Sequence, residues 1–139
     1  MCSFFLSQAL DFVEKHAKTF GIRRTKRLPV SGAFHTKLMS SAQKPLKDAL
    51  GKITLSSPEI PVYSNVTASR YRQPNKIAEF LSQQITEPVK WEQIMHVMYS
   101  RPQGEEFPST FESGPGYQLG TLLKLVNLKA HEKYTHVGV

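Results

Sequence analysis

Apolar residues in the chain recur mostly at helical spacing, and the first such stretch opens it. Phe5, Ala9, Phe12 and Val13 fall at i, i+4, i+7 and i+8, which leaves Asp11, Glu14, Lys15 and Lys18 on the other face. Gly21 suits a helix stop, and Lys15, His16 and Lys18 suit the negative end of the helix dipole. Arg27 to Ser31 reads as a short strand, and Pro29 suggests an edge or crossing strand rather than a central one. Thr36 to Leu50 is the clearest helix, with Met39, Ala42, Leu46, Ala49 and Leu50 on one face and Gly51 after them. Ile60 to Val66 predicts a buried strand. Pro74 opens a helix that turns Ile77, Phe80, Leu81 and Ile85 inward and stops before Pro88.

Val89 to Tyr99 predicts a further helix bearing Trp91, Ile94, Met95 and Met98. Phe107 to Phe111 reads as a strand, Gly114-Pro115-Gly116 as a turn, and Tyr117 to Val126 as a helix aligning Leu119, Leu122, Leu123 and Val126. A last strand is expected at Tyr134 to Val137. Helices alternating with three or four short strands predict an α/β layered sheet. Those connections read as crossovers facing a larger sheet, so the chain reads as the C-terminal part of something longer.

Composition narrows the class. A chain of 139 residues has room for one ordinary core. No apolar run approaches the roughly 18 residues of a membrane span. The early Asp11 and Glu14 argue against a transit peptide, and Cys2 alone excludes an internal disulfide. A formal charge of +7 implies an anionic partner: nucleic acid, a phosphate-bearing cofactor, an acidic protein or an anionic membrane. Arg23, Arg24, Lys26 and Arg27 concentrate that charge, although a solvated surface explains them equally well. His131 and His136 have no metal-ligand partners at useful spacing, so no metal site is expected.

The candidate for chemistry is His35, between an expected strand and an expected helix. Strand ends open onto crevices in α/β sheets, and Gly32 and Ala33 allow a sharp turn there. Taken alone, a single histidine in a turn is more often structural than catalytic. The chain holds no Gly-x-Ser-x-Gly elbow, so none of its serines is an expected nucleophile.

The wider run changes that weighting. Leu28-Pro29-Val30-Ser31-Gly32-Ala33-Phe34-His35-Thr36, followed by Leu38-Met39, resembles the catalytic-histidine segment of malonyl-CoA:acyl carrier protein transacylases. The likeness continues through Pro61-Val62-Tyr63-Ser64-Asn65-Val66, Gln84 with Pro88-Val89-Lys90-Trp91, and Phe111-Glu112 with Gly114-Pro115-Gly116 and Leu119. Order and spacing agree from about Arg24 onward, most closely with the mitochondrial type of animals. The resemblance implies a partial α/β-hydrolase-like acyltransferase sheet with flanking helices over residues 31–139. Residues 1–30 would be the end of a small ferredoxin-like subdomain.

It further implies malonyl transfer from malonyl-CoA to the phosphopantetheine thiol of acyl carrier protein through an acyl-serine, with no bound cofactor and a mitochondrial location. His35 would act as general base and then general acid, its ring held by the backbone carbonyl of Gln84. A polar residue ending a helix explains Gln84 equally well. Phe34 would favour malonyl over bulkier branched units by its size, although the residue at position 32 departs from the usual His-Ala-Phe-His form. Arg23, Arg24, Lys26 and Arg27 would help dock the acidic carrier or the phosphates of CoA, with Arg70 and Arg72 adding to them. The family's serine, its substrate arginine and its oxyanion-hole amide fall outside the chain, so the isolated chain is expected to be inactive. Ser113 stands where the family usually has valine and reads as a strand-end substitution.

Two other readings remain open. One is a basic module binding nucleic acid or acidic protein through Arg23 to Arg27, against which the chain has no recognition motif and core-like aromatic spacing. The other is a non-functional fragment whose exposed core face invites aggregation.

Overall fold

The computed structural model describes residues 2–27 and 29–138, with side chains described from residue 7 onward. The expected inward position of Phe5 and the place of Leu28 in its motif lie outside the described residues. The chain divides into two compact units, Met1–Phe34 and His35–Val139.

The first unit opens with α1, Cys2–Lys15. A turn follows, closed by Phe20 N–H on Ala17 O at 3.1 Å and Ile22 N–H on the same carbonyl at 2.9 Å, with Gly21 at φ +70°. The Phe12 ring lies 4.4 Å from that of His16 and 6.3 Å from that of Phe20. The polar face of α1 holds the chain that follows: Arg27 reaches Asp11 Oδ1 at 2.6 Å and Glu14 Oε2 at 3.0 Å. Those carboxylates stand three residues apart on one face, so a single guanidinium spans both. The strand expected at Arg27 to Ser31 is not found among the described residues there. Among the described residues of this unit there is no strand to pair with it, and Pro29 offers no N–H to a ladder.

The second unit begins with a 3-10 turn, Lys37–Met39, running directly into α2, Ser40–Leu50. The expected helix from Thr36 therefore starts as a tight turn, capped by the Thr36 hydroxyl accepting from Leu38 N–H at 3.3 Å. Met39, Ala42, Leu46 and Leu50 are half-buried, whereas Ala49 is exposed. This face packs α2 on α3, Pro74–Gln84, whose proline stands at the helix start as expected.

Ile60 to Val66 is not a strand. A tight turn replaces it, with one antiparallel bridge pairing Tyr63 and Arg70. Tyr71 N–H donates to Val62 O, Ser64 N–H to Ser69 O and Ala68 N–H to Ser64 O, each at 2.9 Å. The buried Ser64 hydroxyl accepts from Val66 N–H at 3.2 Å. A side chain that supplies the backbone's partner locally competes with a ladder, and here the turn wins.

Next come α4, Trp91–Tyr99; β1, Thr110–Ser113; α5, Gln118–Val126; α6, Leu128–His131; and β2, Tyr134–Val137. The strands pair in parallel, in register from Thr110–Tyr134 to Ser113–Val137, and the helices α5 and α6 form the crossover. Among the described residues the sheet has these two strands rather than three or four, and Ser113 ends the first of them. Ile94, Met95, Tyr99, Leu123, Ala130 and Ala68 form the core. Against it lies an apolar cavity of about 350 Å³, lined in part by Val62, Met98, Phe111 and Leu119.

Candidate functional site

The helix α3 ends at Gln84, and the last carbonyls of any helix have no donors within it. His35 supplies two. Its backbone N–H donates to Ile85 O at 3.0 Å, and its ring Nδ1 lies 2.7 Å from Gln84 O. A carbonyl only accepts, so Nδ1 carries the hydrogen, and in the neutral ring Nε2 keeps its lone pair. His35 sits at φ +62°, a left-handed conformation that histidine tolerates better than most residues. The capped turn at Thr36 to Met39 and the packing of α2 on α3 bring the ring to the helix end. The imidazole is exposed, so a reacting group can reach it.

The ring of His35 thus meets the Gln84 carbonyl, the pairing that the resemblance implies. The contact is with the backbone, so the amide side chain of Gln84 plays no part in it. Phe34, Arg23, Arg24, Lys26 and Arg27 belong to the first unit. Phe34, Arg23, Arg24 and Lys26 are exposed, and those three cations make no ion pair with the described residues. Arg27 is different, because its guanidinium is engaged by Asp11 and Glu14. The apolar cavity does not include His35 or Gln84. Among the described residues, no cluster of three or more His, Cys, Asp or Glu side chains is placed to hold a metal.

One group escaped sequence reasoning. β1 turns its charged residue inward and its aromatic outward: Glu112 is buried and Phe111 exposed. The Glu112 carboxylate accepts from Leu119 N–H at 3.1 Å and Gly120 N–H at 2.8 Å, in the first turn of α5, and from the Tyr134 hydroxyl. It thus satisfies donors that the helix start leaves unpaired, at the positive end of the dipole. The turn between β1 and α5 needs Gly114 at φ +130° and Gly116 at φ +86°, and the Gly114 carbonyl accepts from His136 Nε2 at 2.8 Å. The signal available in the sequence was the place of Phe111-Glu112, just before Gly114-Pro115-Gly116, among the motifs that carry the family resemblance.

This network titrates at both ends of the pH scale. The hydrogen bond from Tyr134 holds the Glu112 carboxyl below its ordinary 4.5, with the amides of Gly120 and Leu119 adding to it. Burial, together with Glu112, pushes the Tyr134 hydroxyl up to about 12 from 10.0. A depressed carboxylate stabilises the fold above its unfolded pKa, and that contribution is lost as pH falls through the lower folded value. A raised phenol contributes fully below pH 10.0, and its contribution is lost as pH rises towards about 12. Urea midpoints measured against pH are expected to fall below pH 4.5 and above pH 10, and Tyr134→Phe to flatten the alkaline limb. An alkaline limb unchanged in that variant would remove Tyr134 from the effect.

No protein-family profile matches the chain. The human protein named malonyl-CoA-acyl carrier protein transacylase, mitochondrial, is 52% identical to it over 132 residues, which is 95% of this chain and 34% of the human one. The chain therefore spans about a third of that relative, in its C-terminal portion. The crystal structure of an acyl-carrier-protein-S-malonyltransferase from Bartonella henselae superposes with a TM-score of 0.78 at 30% identity, covering 95% of this chain and 40% of that one. A malonyl-transacylase solved in complex with a type II acyl-carrier protein superposes with a TM-score of 0.75 at 25% identity, covering 95% of this chain and 40% of that one. The fold is that of a partial α/β acyltransferase.

Proposed function

We propose that this chain, matching the C-terminal portion of malonyl-CoA:acyl carrier protein transacylases over nearly all of its own length, carries the proton-transfer half of a malonyl-transfer site. The observation that carries this reading is His35 Nδ1 on Gln84 O at 2.7 Å, which fixes one tautomer and leaves Nε2 as the base.

In the first half-reaction Nε2 takes the proton of a serine hydroxyl as its oxygen attacks the malonyl thioester carbonyl. The same proton then passes to the departing CoA thiolate. In the second, Nε2 takes the proton of the phosphopantetheine thiol as its sulfur attacks the acyl-serine ester, and returns it to the serine oxygen. The Nδ1 contact survives each transfer, because the imidazolium still donates to the carbonyl. In this reading the serine, the arginine facing the malonyl carboxylate and the oxyanion donors are supplied by a segment corresponding to the part of the relatives that this chain does not span.

Phe34 limits the acyl group to an unbranched unit in this reading. Arg23, Arg24 and Lys26 steer the anionic partner, and Arg27 acts chiefly by fixing the segment that bears them. Residues 1–30 close a small ferredoxin-like subdomain, and residues 31–139 belong to the hydrolase-like one. Malonyl-CoA and acyl carrier protein are the substrates, no cofactor is bound, and the compartment is the mitochondrion named for the animal relatives.

Incubated with labelled malonyl-CoA, the isolated chain is expected to take up no stable ester. Co-expressed with the preceding two thirds of the human relative, it is expected to support labelling of that partner polypeptide and transfer to acyl carrier protein. Stoichiometric ester on the isolated chain, or a co-expressed complex that labels without transferring, would overturn the assignment.

A further inference from the structure

At the other end of α3 lies a groove of about 590 Å³ that the proton-transfer chemistry does not use. Arg70, Arg72 and Lys76 rim it, Ser69 and Gln73 supply polar groups, and Phe80 with Val97 forms its apolar wall. Lys76 is neutralised by Glu79 at 2.7 Å, so the free charge belongs to the two arginines. Arg70 is oriented in advance. Its Nε donates to the Tyr63 hydroxyl at 2.9 Å, and its guanidinium lies 5.5 Å from the centroid of that ring. The terminal nitrogens are thereby left as a fork for an oxyanion. The volume is that of a small-molecule site, and an aromatic wall beside cations fits a nucleobase joined to phosphate better than a bare anion.

Position gives the groove its meaning. The helix α3 carries groove residues Lys76 and Phe80 in its first two turns and the carbonyl that holds His35 at its last residue. Its 11 residues separate those ends by about 15 Å. A thioester whose phosphates sit on a long flexible arm, remote from the reacting carbonyl, is a substrate with this layout. We infer that the Arg70–Arg72 groove binds the nucleoside-phosphate end of the acyl-CoA donor, an inference that rests on the malonyl-transfer reading.

The test uses the 139-residue chain and adenosine 3′,5′-bisphosphate, followed by calorimetry and by NMR shifts at Arg70, Arg72 and Phe80. Binding is expected, and Arg70→Gln with Arg72→Gln is expected to weaken it by about tenfold or more. Arg72→Gln alone serves as the second variant, because its side chain makes no hydrogen bond or ion pair among the described residues, and it is expected to weaken binding in part. Adenosine and inorganic phosphate separate the two halves of the ligand, and neither is expected to compete at equal concentration. Equal competition by phosphate would reduce the groove to a simple anion site and overturn the inference. So would undiminished binding by the double variant, or occupation of the groove by acyl carrier protein that the bisphosphate does not displace. None of these results depends on His35, so the groove and the proton-transfer reading fail separately.

Discussion

If the malonyl-transfer reading holds, His35→Ala in the chain co-expressed with the preceding two thirds of the human relative is expected to lower malonyl transfer by about a hundred- to ten-thousand-fold, the span that a positioned general base contributes. The loss falls on kcat, because the imidazole acts on protons in flight rather than on bound substrate. Gln84→Ala is the informative companion. The contact at 2.7 Å is with the backbone carbonyl, which alanine keeps, so that variant retains most of the rate. A large loss in Gln84→Ala would show that the amide side chain takes part. A near-normal rate in His35→Ala would remove the histidine from the mechanism altogether.

Gly120→Ala is expected to destabilise the chain by about 1–3 kcal/mol, the usual cost of forcing atoms into a filled space. A Cβ built there lies 2.7 Å from both the Tyr134 Cε1 and Oη atoms, and an aromatic ring cannot fold away as a lysine tip can. The sign is diagnostic. Gly120 lies inside α5, where helix propensity alone favours alanine by about 1 kcal/mol. Displacing Tyr134 also costs Glu112 its hydroxyl partner, so the variant should lose part of the acid and alkaline dependence of stability. Urea denaturation measures both. A more stable Gly120→Ala would mean that the ring yields and that propensity decides.

The helices were legible because their signals are local: a 3.6-residue period, Pro74 at a start, Gly51 at a stop. The segment from Ile60 to Val66 misled for an equally local reason. A run rich in β-branched and aromatic residues reads as a strand, and only the turn itself reveals that Ser64 serves its own backbone. Glu112 was hidden by the opposite convention, since a charged residue beside an apolar one is ordinarily placed outside. Its inward position depends on α5 beginning just beyond it and on Tyr134 arriving 22 residues later. The contact of His35 with Gln84 spans 49 residues, which no periodicity reports. It entered the sequence reading only through the order of several motifs.

Because His35 is pinned to the end of α3 and not to its own turn, insertions should be tolerated very unevenly. Residues added between Gly51 and Ser57, outside every helix and strand, lengthen a connection without moving the carbonyl, and longer loops cost little. A single residue inserted in the middle of α3 turns every later carbonyl by about 100° around the helix axis and swings that of Gln84 off the ring. Length variation among functional homologues should therefore collect in the first stretch and be missing from the second.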